Sequence, residues 1–482
     1  MLLLALSHAL TIPTTLRAHR GNNRIERVRA YWRKDDASPL ARRLDKIIAA
    51  APALERPTYQ PTPWARSAKA NFVLATLRSR LAALRRNVEP PLTGRTTAVP
   101  SEPDLGVEWT KDEVGVTLPP EAPTTLLQSD LGWHLGRTFS AALRRQAPIV
   151  IFLHTITGTA AQTRWLMAGG VARGRTAGHV HDASRNTVPQ RRDVSDVQLQ
   201  LEAVRRAHPR ASFLGMVGVS AGSGLLISYL GAAGSATPVG AACAICPAWD
   251  VGSAFGAMSE ALPAAERGVR PRAASLHAPG RGQAQPAAER AMLAQIRSRF
   301  VRRNERLLRA YDSAAVDACL AAQSLSDLLA AHAPFAMRRR GATGDEYFAA
   351  HDPMAVRRNV SVPVLVLNAE DDFVCPASLA RPDARGREWP VGPCDVRDAS
   401  TTQPVGALLL ITKSGSHVAF NEGPLGRKSF HTRVSLDFLD AARELAAAEA
   451  ANSEAGTAEL RGVVGEPGRE ARPPSIRKVG VV

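Results

Sequence analysis

From residue 148 onward, apolar residues fall in short continuous runs separated by segments with helical periodicity. The runs are rich in Val, Ile, Leu and Ala, which is typical of strands buried on both faces of a sheet. They occupy residues 148–153, 212–218, 238–245, 362–368 and 407–412. Residues 194–207 and 222–230 have the apolar spacing of helices. This alternation predicts an α/β fold with a mainly parallel, doubly wound sheet.

Other regions of the chain break this series. Residues 250–350 are helical in pattern and rich in Arg, and we expect them to form a lid around a Pro-, Gly- and Gln-rich insertion at 263–287. The chain is therefore predicted to have three parts. These are a basic N-terminal extension over 1–54, an α/β domain over 55–445, and a disordered tail over 446–482.

The chain is basic, with 61 Lys and Arg residues against 44 Asp and Glu and a formal net charge of +17. Residues 1–100 contain 18 basic and 6 acidic residues, so most of the excess lies there. Such a segment suits targeting or an anionic surface, whereas a general preference for Arg is the simpler alternative. Aromatic residues make up 5% of the chain and no nucleic-acid-binding motif occurs, so no nucleic acid partner is expected.

The first twelve residues are apolar but too short to span a membrane, and Arg residues follow them rather than precede them. This order favours an organellar transit peptide or a shallow membrane anchor over a secretory signal. Residues 66–86 are predicted to form a basic amphipathic helix that either lies on a surface or packs against the domain. We expect an intracellular protein, membrane-associated or organellar, with membrane-surface association as a candidate property.

The five cysteines are too few and too scattered for a disulfide framework. Cys243 and Cys246 have the spacing of a redox or zinc motif, but no second pair and no His cluster accompanies them. They lie in an apolar run and are interpreted as core residues, because a free thiol packs like a small hydrophobic group. No metal ion and no cofactor are expected.

Gly218-Val219-Ser220-Ala221-Gly222 joins a predicted strand to a predicted helix. In this setting the G-x-S-x-G pattern is typical of a nucleophile elbow, in which small flanking residues permit a tight turn that exposes the Ser. The helix N-terminus then stabilises negative charge beside the hydroxyl. A Gly-rich turn without chemistry is the alternative, but the strand and helix on either side favour Ser220 as a nucleophile.

A serine nucleophile needs a base and an orienting acid, here in the chain order Ser, Asp, His. The strand at 362–368 leads into Asp371 and Asp372, and the spacing favours Asp372 with Asp371 as the alternative. His417 follows the strand at 407–412 in a turn that contains Gly and Ser, so it is the candidate base.

An oxyanion hole needs two backbone N–H groups aimed at the developing alkoxide. We assign one to Ala221. The other is assigned to Ile156, with Thr155 as the alternative, in the loop after the strand at 148–153. His154 is interpreted as a residue that shapes this loop rather than as a catalytic one.

Together these motifs resemble the α/β-hydrolase superfamily, and more narrowly its YheT-like branch. That branch includes plant embryogenesis-associated proteins and animal phospholipid- and acylglycerol-ester hydrolases. The likeness covers roughly residues 55–440 and includes segments 59–64, 71–72, 107–109, 344–353 and 417–423. It implies hydrolysis of carboxylic esters, above all lipid-like ones, through an acyl-Ser220 intermediate.

Three features depart from this branch. His154-Thr155 stands where His-Gly is usual, so a Cβ lies where close approach is wanted. Residues 263–287 resemble an insertion into the lid. The segment 168–192 lacks the apolar run of the strand expected there, so we predict that one sheet strand is missing or degraded. Either the gene model is wrong in this segment or the strand is truly lost.

The sequence thus predicts a serine carboxylic ester hydrolase that acts on a small-molecule ester or lipid, of acylglycerol, phospholipid or shorter-chain type. Two alternatives with the same fold stay open, a catalytically impaired binding protein and an acyltransferase that uses the same triad. A third is a basic surface-binding protein whose function lies in residues 1–100.

Overall fold

The computed structural model describes residues 25–31, 38–84, 95–98, 115–118, 148–156, 176–179, 193–207, 209–249, 251–252, 254, 287–302, 304–337, 339–375, 377, 406–426 and 428–463. The strands in this part of the chain are β1 (Glu26–Arg27), β2 (Arg29–Tyr31), β3 (Thr58–Tyr59), β4 (Arg95–Ala98), β5 (Gly115–Leu118), β6 (Ile149–Leu153), β7 (Thr176–His179), β8 (Leu214–Val219), β9 (Ala241–Ile245), β10 (Val364–Ala369), β11 (Ala407–Thr412), β12 (Asn421–Glu422) and β13 (Lys428–Ser429).

The α-helices in the same ranges are α1 (Pro39–Ala50), α2 (Pro52–Glu55), α3 (Ala68–Leu84), α4 (Asp193–Ala207), α5 (Ala221–Ala233), α6 (Ala287–Ile296), α7 (Glu305–Ala321), α8 (Leu325–Ala336), α9 (Gly344–Ala350), α10 (Pro353–Val356) and α11 (Phe430–Val463). A π-helical turn, Arg297–Arg302, follows α6. Within the described ranges, no helix combines the length and apolar character that crossing a membrane requires.

Seven strands form one sheet in the order β2-β11-β10-β9-β8-β6-β7, and β2 alone among them runs antiparallel to its neighbour. The five predicted apolar runs correspond to β6, β8, β9, β10 and β11, and every residue of these strands is buried. The predicted α/β fold with a mainly parallel sheet is therefore confirmed.

Alternate residues of each central strand face two separate apolar layers. Val150 and Phe152 of β6 pack in the layer that α1 and α11 cover, whereas Ile149, Ile151 and Leu153 pack in the layer that α4 and α5 cover. A strand with both faces covered by helices needs apolar side chains at every position. This explains why the strands appear in the sequence as continuous apolar runs rather than as alternating patterns.

The structure differs from the boundary predicted at residue 54. β2 pairs with β11, and apolar residues of α1, among them Leu44 and Ile47, are buried in the same layer as α11. Residues 25–54 in their described part thus belong to the domain, because a short strand and a half-apolar helix complete its edge. α11 continues to Val463, so helix also extends beyond the tail boundary predicted at 446. Residues 1–24 and 464–482 lie outside the described ranges.

A strand is present in the segment where the sequence predicts a missing or degraded one. β7 has the sequence Thr-Ala-Gly-His and pairs in parallel with β6, from Ile149 opposite Thr176 to Phe152 opposite His179. Strand pairing uses backbone N–H and C=O groups, so it needs no apolar run. β5, which pairs with β4 in a separate sheet, also lies close to β7. The strand is degraded in composition but not missing.

The lid is helical over residues 287–350, as far as it is described; residues 263–286 of the predicted insertion lie outside the described ranges. Its helices α6 to α9 form a third apolar cluster, which also contains Ile156, Val374 and Cys375. The lid therefore packs on the loops that follow β6 and β10. These loops carry predicted site residues, so the lid covers the carboxyl edge of the sheet.

One titratable side chain lies in the middle of the lid without a polar partner. His332 is fully buried among the rings of Phe300, Phe335 and Tyr347. Neither ring nitrogen has a hydrogen-bond partner among the described residues. Burial, with a smaller contribution from the nearby His351, lowers the pKa of His332 from 6.5 to about 3. The folded lid therefore holds this imidazole neutral at pH values where the unfolded chain binds a proton.

We expect the protein to lose stability as the pH falls from 6.5 toward about 3, because protons bind His332 in the unfolded chain and not in the folded lid. By proton linkage, His332 alone should lower the free energy of unfolding by about 2 kcal/mol at pH 5 relative to pH values well above 6.5. In His332→Leu, the free energy of unfolding should depend less steeply on pH over this range, as measured by urea unfolding followed by near-ultraviolet circular dichroism. Parallel curves for the variant and the wild type would exclude His332 as the source.

Candidate active site

The predicted site residues meet at the carboxyl edge of the parallel sheet. Ser220 directly follows β8, Asp371 and Asp372 follow β10, and His417 lies in the loop after β11. β6 and β8 are neighbours in the sheet although β7 separates them in sequence, so the strand order reverses between them. Doubly wound sheets bind their ligands outside the carboxyl ends of the strands at such a point.

Ser220 is held in a strained turn between β8 and α5. Its φ of 55° and ψ of −120° lie outside the regions that L-residues normally adopt. The Ser220 N–H donates to the Ile245 carbonyl of β9 at 2.8 Å, and the Ser220 carbonyl accepts from the Ser223 N–H at 2.8 Å. β9 and the first turn of α5 therefore fix the turn from both sides. The strand, turn and helix have the geometry of the predicted elbow.

The two glycines of the motif are required by space. A Cβ at Gly218 would lie 2.4 Å from the Gly222 carbonyl oxygen and 2.6 Å from the Ser223 Cα. A Cβ at Gly222 would lie 2.5 Å from the Leu153 carbonyl oxygen and 2.6 Å from that of His154. Since real Cβ atoms essentially never approach within 3.0 Å, α5 can lie against β8 and the end of β6 only with glycine at both positions.

Gly222→Ala should destabilise the protein, because the new Cβ meets the carbonyls of Leu153 and His154 where β6 of the central sheet ends. Overpacking of this kind typically costs about 1–3 kcal/mol. Gly224→Ala, two residues along α5, is the matched control, since a Cβ there meets nothing within 4 Å. Ala in place of an internal helix Gly stabilises by up to about 1 kcal/mol. Thermal unfolding midpoints should therefore move in opposite directions, and equal shifts would contradict the steric argument.

The structure brings Ser220, His417 and Asp372 into one hydrogen-bonded chain. Ser220 Oγ lies 2.7 Å from His417 Nε2, and His417 Nδ1 lies 3.1 and 3.0 Å from the two carboxylate oxygens of Asp372. The exposed fractions of the three residues are 7%, 6% and 4%. A neutral imidazole that donates from Nδ1 to the carboxylate has a lone pair on Nε2, so it can accept the Ser220 proton.

The two adjacent carboxylates have different partners. Asp372 Oδ1 also accepts from the N–H groups of Val374 and Cys375, both at 2.8 Å, so its own loop fixes its orientation. Asp371 Oδ1 accepts from the Ser416 N–H at 2.7 Å. Burial raises the pKa of Asp371 to about 6, while backbone donors of the histidine loop lower it. Asp372 is therefore the partner of the imidazole, and Asp371 anchors the loop that carries it.

The loop around His417 is strained. The φ angle is 54° at Ser416, 53° at Val418 and 40° at Phe420, values that β-branched and bulky residues rarely adopt. The Phe420 N–H donates to the Gly415 carbonyl at 3.0 Å and closes the loop. Backbone of this kind persists only where its surroundings hold it. The position of the imidazole therefore depends on contacts outside its own loop.

The N-terminal part of the domain supplies such contacts. Tyr59, Asn71 and Asn421 are buried, and the Asn421 side-chain amide donates to Asn71 Oδ1 at 2.5 Å. The Tyr59 hydroxyl donates to the Asn421 carbonyl at 3.2 Å and lies 3.4 Å from Asn71 Nδ2. Phe72 packs edge-on against Phe373 in the acid loop, with ring centroids 5.5 Å apart. Tyr59 and Asn71 lie in segments that the sequence resemblance includes, but the sequence gives them no role. No local pattern reveals that Asn71 contacts Asn421, which is 350 residues away.

Asn71→Ala should lower the free energy of unfolding by about 1–3 kcal/mol, because the Asn421 backbone N–H and one side-chain N–H lose Asn71 Oδ1, while the Asn71 carbonyl stays available to the amide. Thr76→Ala is the control on the same helix, since the half-buried Thr76 hydroxyl only donates to the Phe72 carbonyl at 2.9 Å. Its loss should stay below about 1 kcal/mol. Chemical unfolding of both variants measures the difference. Similar losses would mean that the buried amide pair has no special part in holding the loop.

The predicted oxyanion donors lie at the start of α5 and in the loop after β6. Ala221 is the first residue of α5, and Ile156 is buried in the lid cluster. His154 Nδ1 lies 2.7 Å from the Thr155 carbonyl oxygen, in keeping with a residue that shapes the loop. The first turn of an α-helix has N–H groups without partners in the helix, which suits the role given to Ala221. The choice between Ile156 and Thr155 stays a prediction.

Cys246 lies in the core, as the sequence predicts, and it also borders this cluster. It is fully buried at the end of β9, and its sulfur, an Asp372 carboxylate oxygen and a His417 ring nitrogen all lie within 4.8 Å of one another. Thiolate, carboxylate and imidazole can together bind a soft divalent cation. Here, however, the imidazole hydrogen-bonds to Asp372, and burial raises the pKa of the Cys246 thiol well above its usual range, so the thiol keeps its proton. A protonated thiol is a poor metal ligand, so the residues fit a protonated cluster better than a metal site.

The strand order, the elbow after β8 and the acid and histidine after β10 and β11 define the α/β-hydrolase fold. No protein-family model matches the chain, and no curated protein matches its sequence.

Several solved structures are similar in chain path at low TM-scores. Pyrococcus horikoshii acylaminoacyl peptidase is 13% identical over 60% of this chain, with a TM-score of 0.31, and this chain spans 36% of the peptidase chain. A structure of the metagenome-derived lipolytic enzymes LipS and LipT is 16% identical over 61% of this chain and 94% of its own, with a TM-score of 0.32. Est1E from Butyrivibrio proteoclasticus, with ferulic acid bound, is 10% identical. The match covers 64% of this chain and 91% of the Est1E chain, with a TM-score of 0.32.

Proposed function

We propose that the protein is a serine hydrolase that cleaves carboxylic esters through an acyl-Ser220 intermediate. The observation that carries the proposal is the 2.7 Å distance between Ser220 Oγ and His417 Nε2, with His417 Nδ1 at 3.0 Å from Asp372. A serine hydroxyl is a weak nucleophile unless an adjacent base takes its proton. A contact of this length lets the proton move as the oxygen attacks.

In the proposed reaction, His417 takes the Ser220 proton as Oγ attacks the ester carbonyl and then gives it to the leaving alcohol. Water activated by the same imidazole releases the acid from the acyl-enzyme. Asp372 keeps the Nδ1 proton in place and stabilises the imidazolium that forms. These steps use side chains and water alone, and they call for no cofactor.

The negative charge on the tetrahedral intermediate needs donors on the far side from His417. The proposal gives this role to the N–H groups of Ala221 and Ile156, with Thr155 as the alternative to Ile156. The N-terminus of α5 adds a favourable electrostatic contribution beside the same oxygen. Loss of one such donor typically costs on the order of a hundredfold in rate.

The apolar surroundings of the site support an apolar acyl group. Ile156 in the loop after β6 and Val374 in the acid loop are buried in the same cluster as the lid helices. An acyl chain that enters between the lid and these loops would be surrounded by apolar side chains, which favours binding of an apolar group. We therefore propose an acylglycerol, phospholipid or shorter-chain ester, in line with the resemblance to the YheT-like branch.

Labelling by a fluorophosphonate probe tests the proposal, because the probe reacts only with an activated serine. The wild type should label, and Ser220→Ala should not. His417→Ala should lower the labelling rate at least about a thousandfold, since the hydroxyl loses its base. Asp372→Asn should lower it on the order of ten-thousandfold through the wrong tautomer, whereas Asp371→Asn should stay within about tenfold of wild type.

A folded wild type that does not label would favour the impaired binding protein over the enzyme. If the protein labels, product analysis with an ester and a competing alcohol separates the remaining alternatives. Free acid indicates a hydrolase, while transfer of the acyl group to the alcohol indicates an acyltransferase. Equal labelling of Asp371→Asn and Asp372→Asn would contradict the assignment of the acid.

A further inference from the structure

We infer that Cys246 is a positioning residue of the triad, whose thiol donates a hydrogen bond to the Asp372 carboxylate and holds it against the imidazole of His417. The inference rests on the proposed function, since it presupposes that Asp372 orients a catalytic base. It gives a specific role to the second cysteine of a pair whose spacing suggests redox or zinc chemistry and whose surroundings suggest simple packing.

The place of Cys246 in the sheet is fixed by the backbone. β9 lies between β8 and β10, so its carboxyl end separates the elbow from the acid loop. The Cys246 N–H donates to the Leu367 carbonyl of β10 at 2.7 Å. The preceding carbonyl, of Ile245, accepts from the Ser220 N–H at 2.8 Å. Residues 245–246 therefore tie together the strand of the nucleophile and the strand of the acid.

The conformation of Cys246 is unusual for a residue with a side chain. Its φ is 50°, in the left-handed region where glycine is favoured. A residue that only ended the strand could be glycine without strain. Instead a Cβ and a sulfur are present, and the sulfur lies within 4.8 Å of both an Asp372 oxygen and a His417 nitrogen. Strain of this kind at a site points to a role for the side chain.

The Asp372 carboxylate gains from a further donor. It is 4% exposed, so hydrogen bonds within the protein must replace its water. The Val374 and Cys375 N–H groups both donate to Oδ1, and the imidazole lies near both oxygens. An ionised carboxylate has about four acceptor sites, so one more donor can be accommodated. Without the thiol, the carboxylate is less firmly oriented between its own loop and the histidine.

The Cys246 thiol is suited to donate because it keeps its proton. Burial, followed by the charge of Asp372, raises its pKa well above the usual range. The thiol is therefore a neutral donor near neutral pH. As a donor it also withdraws part of the negative charge that stabilises the imidazolium. Loss of the thiol should thus make the imidazolium more favourable and move the acid limb of the pH–rate profile to higher pH.

The test compares the pH dependence of fluorophosphonate labelling rates in the wild type, Cys246→Ala, Cys246→Ser and Cys243→Ala. Cys246→Ala should label roughly tenfold more slowly, with its acid limb at higher pH. Cys246→Ser should recover most of the rate, because a hydroxyl also donates. Cys243→Ala removes the same atoms from another fully buried position on β9, where the thiol lies 3.6 Å from the Ser435 carbonyl. Its profile should match that of the wild type.

Three results would overturn the inference. One is a Cys246→Ala rate equal to wild type. The second is a slower rate with an unmoved pH profile, which would mean that the thiol only fills space. The third is the same change in Cys243→Ala, which would mean that any deletion in β9 disturbs the site.

A wild type that does not label would refute the proposed function and leave the hydrogen bond open to a direct test. The S–H stretching band of Cys246 can be identified in the infrared spectrum by its absence from Cys246→Ala. In Asp372→Asn this band should move to higher frequency, because a neutral amide is a weaker acceptor than a carboxylate. An unmoved band would overturn the hydrogen bond itself.

Discussion

The site depends on one steric constraint, the close approach of α5 to the ends of β6 and β8. Backbone atoms occupy the space where a Cβ of Gly218 or Gly222 would lie, so neither position tolerates a side chain. The tight turn between them forces Ser220 to a φ of 55° and places its hydroxyl at the reversal of strand order. Once that oxygen has a fixed position, the base and the acid must be brought to it by the rest of the fold.

That second task falls to segments far apart in the sequence. Asp371 accepts from the backbone of the histidine loop, and the buried pair of Asn71 and Asn421 ties the same loop to the N-terminal part of the domain. The loop keeps several residues at positive φ, which isolated chains avoid. The backbone strain of this loop is thus offset by buried hydrogen bonds, because a buried polar group without a partner would destabilise the fold.

Sequence patterns predicted what local chemistry encodes. The five central strands are apolar at every position because helices cover both faces, and Ser220, Asp372 and His417 each directly follow or closely follow such a strand. β2 and β7 escaped prediction because short edge strands pair through the backbone and carry no apolar run. The roles of Asn71 and Cys246 escaped for another reason. Asn71 contacts Asn421, 350 positions away, and Cys246 lies near Asp372, 126 positions away, so no local pattern indicates either role.

The lid helices and the loops next to the triad share one apolar cluster. Ile156 of the predicted oxyanion loop and Val374 of the acid loop are buried with the lid helices, so packing of the lid fixes the backbone that donates to Asp372. The triad residues themselves are 4–7% exposed, so little water competes for their hydrogen bonds. In such surroundings each of these bonds is stronger than it would be in water, and each unpaired group is more costly. The apolar packing of the lid and the hydrogen bonds at the carboxyl edge of the sheet therefore stabilise each other.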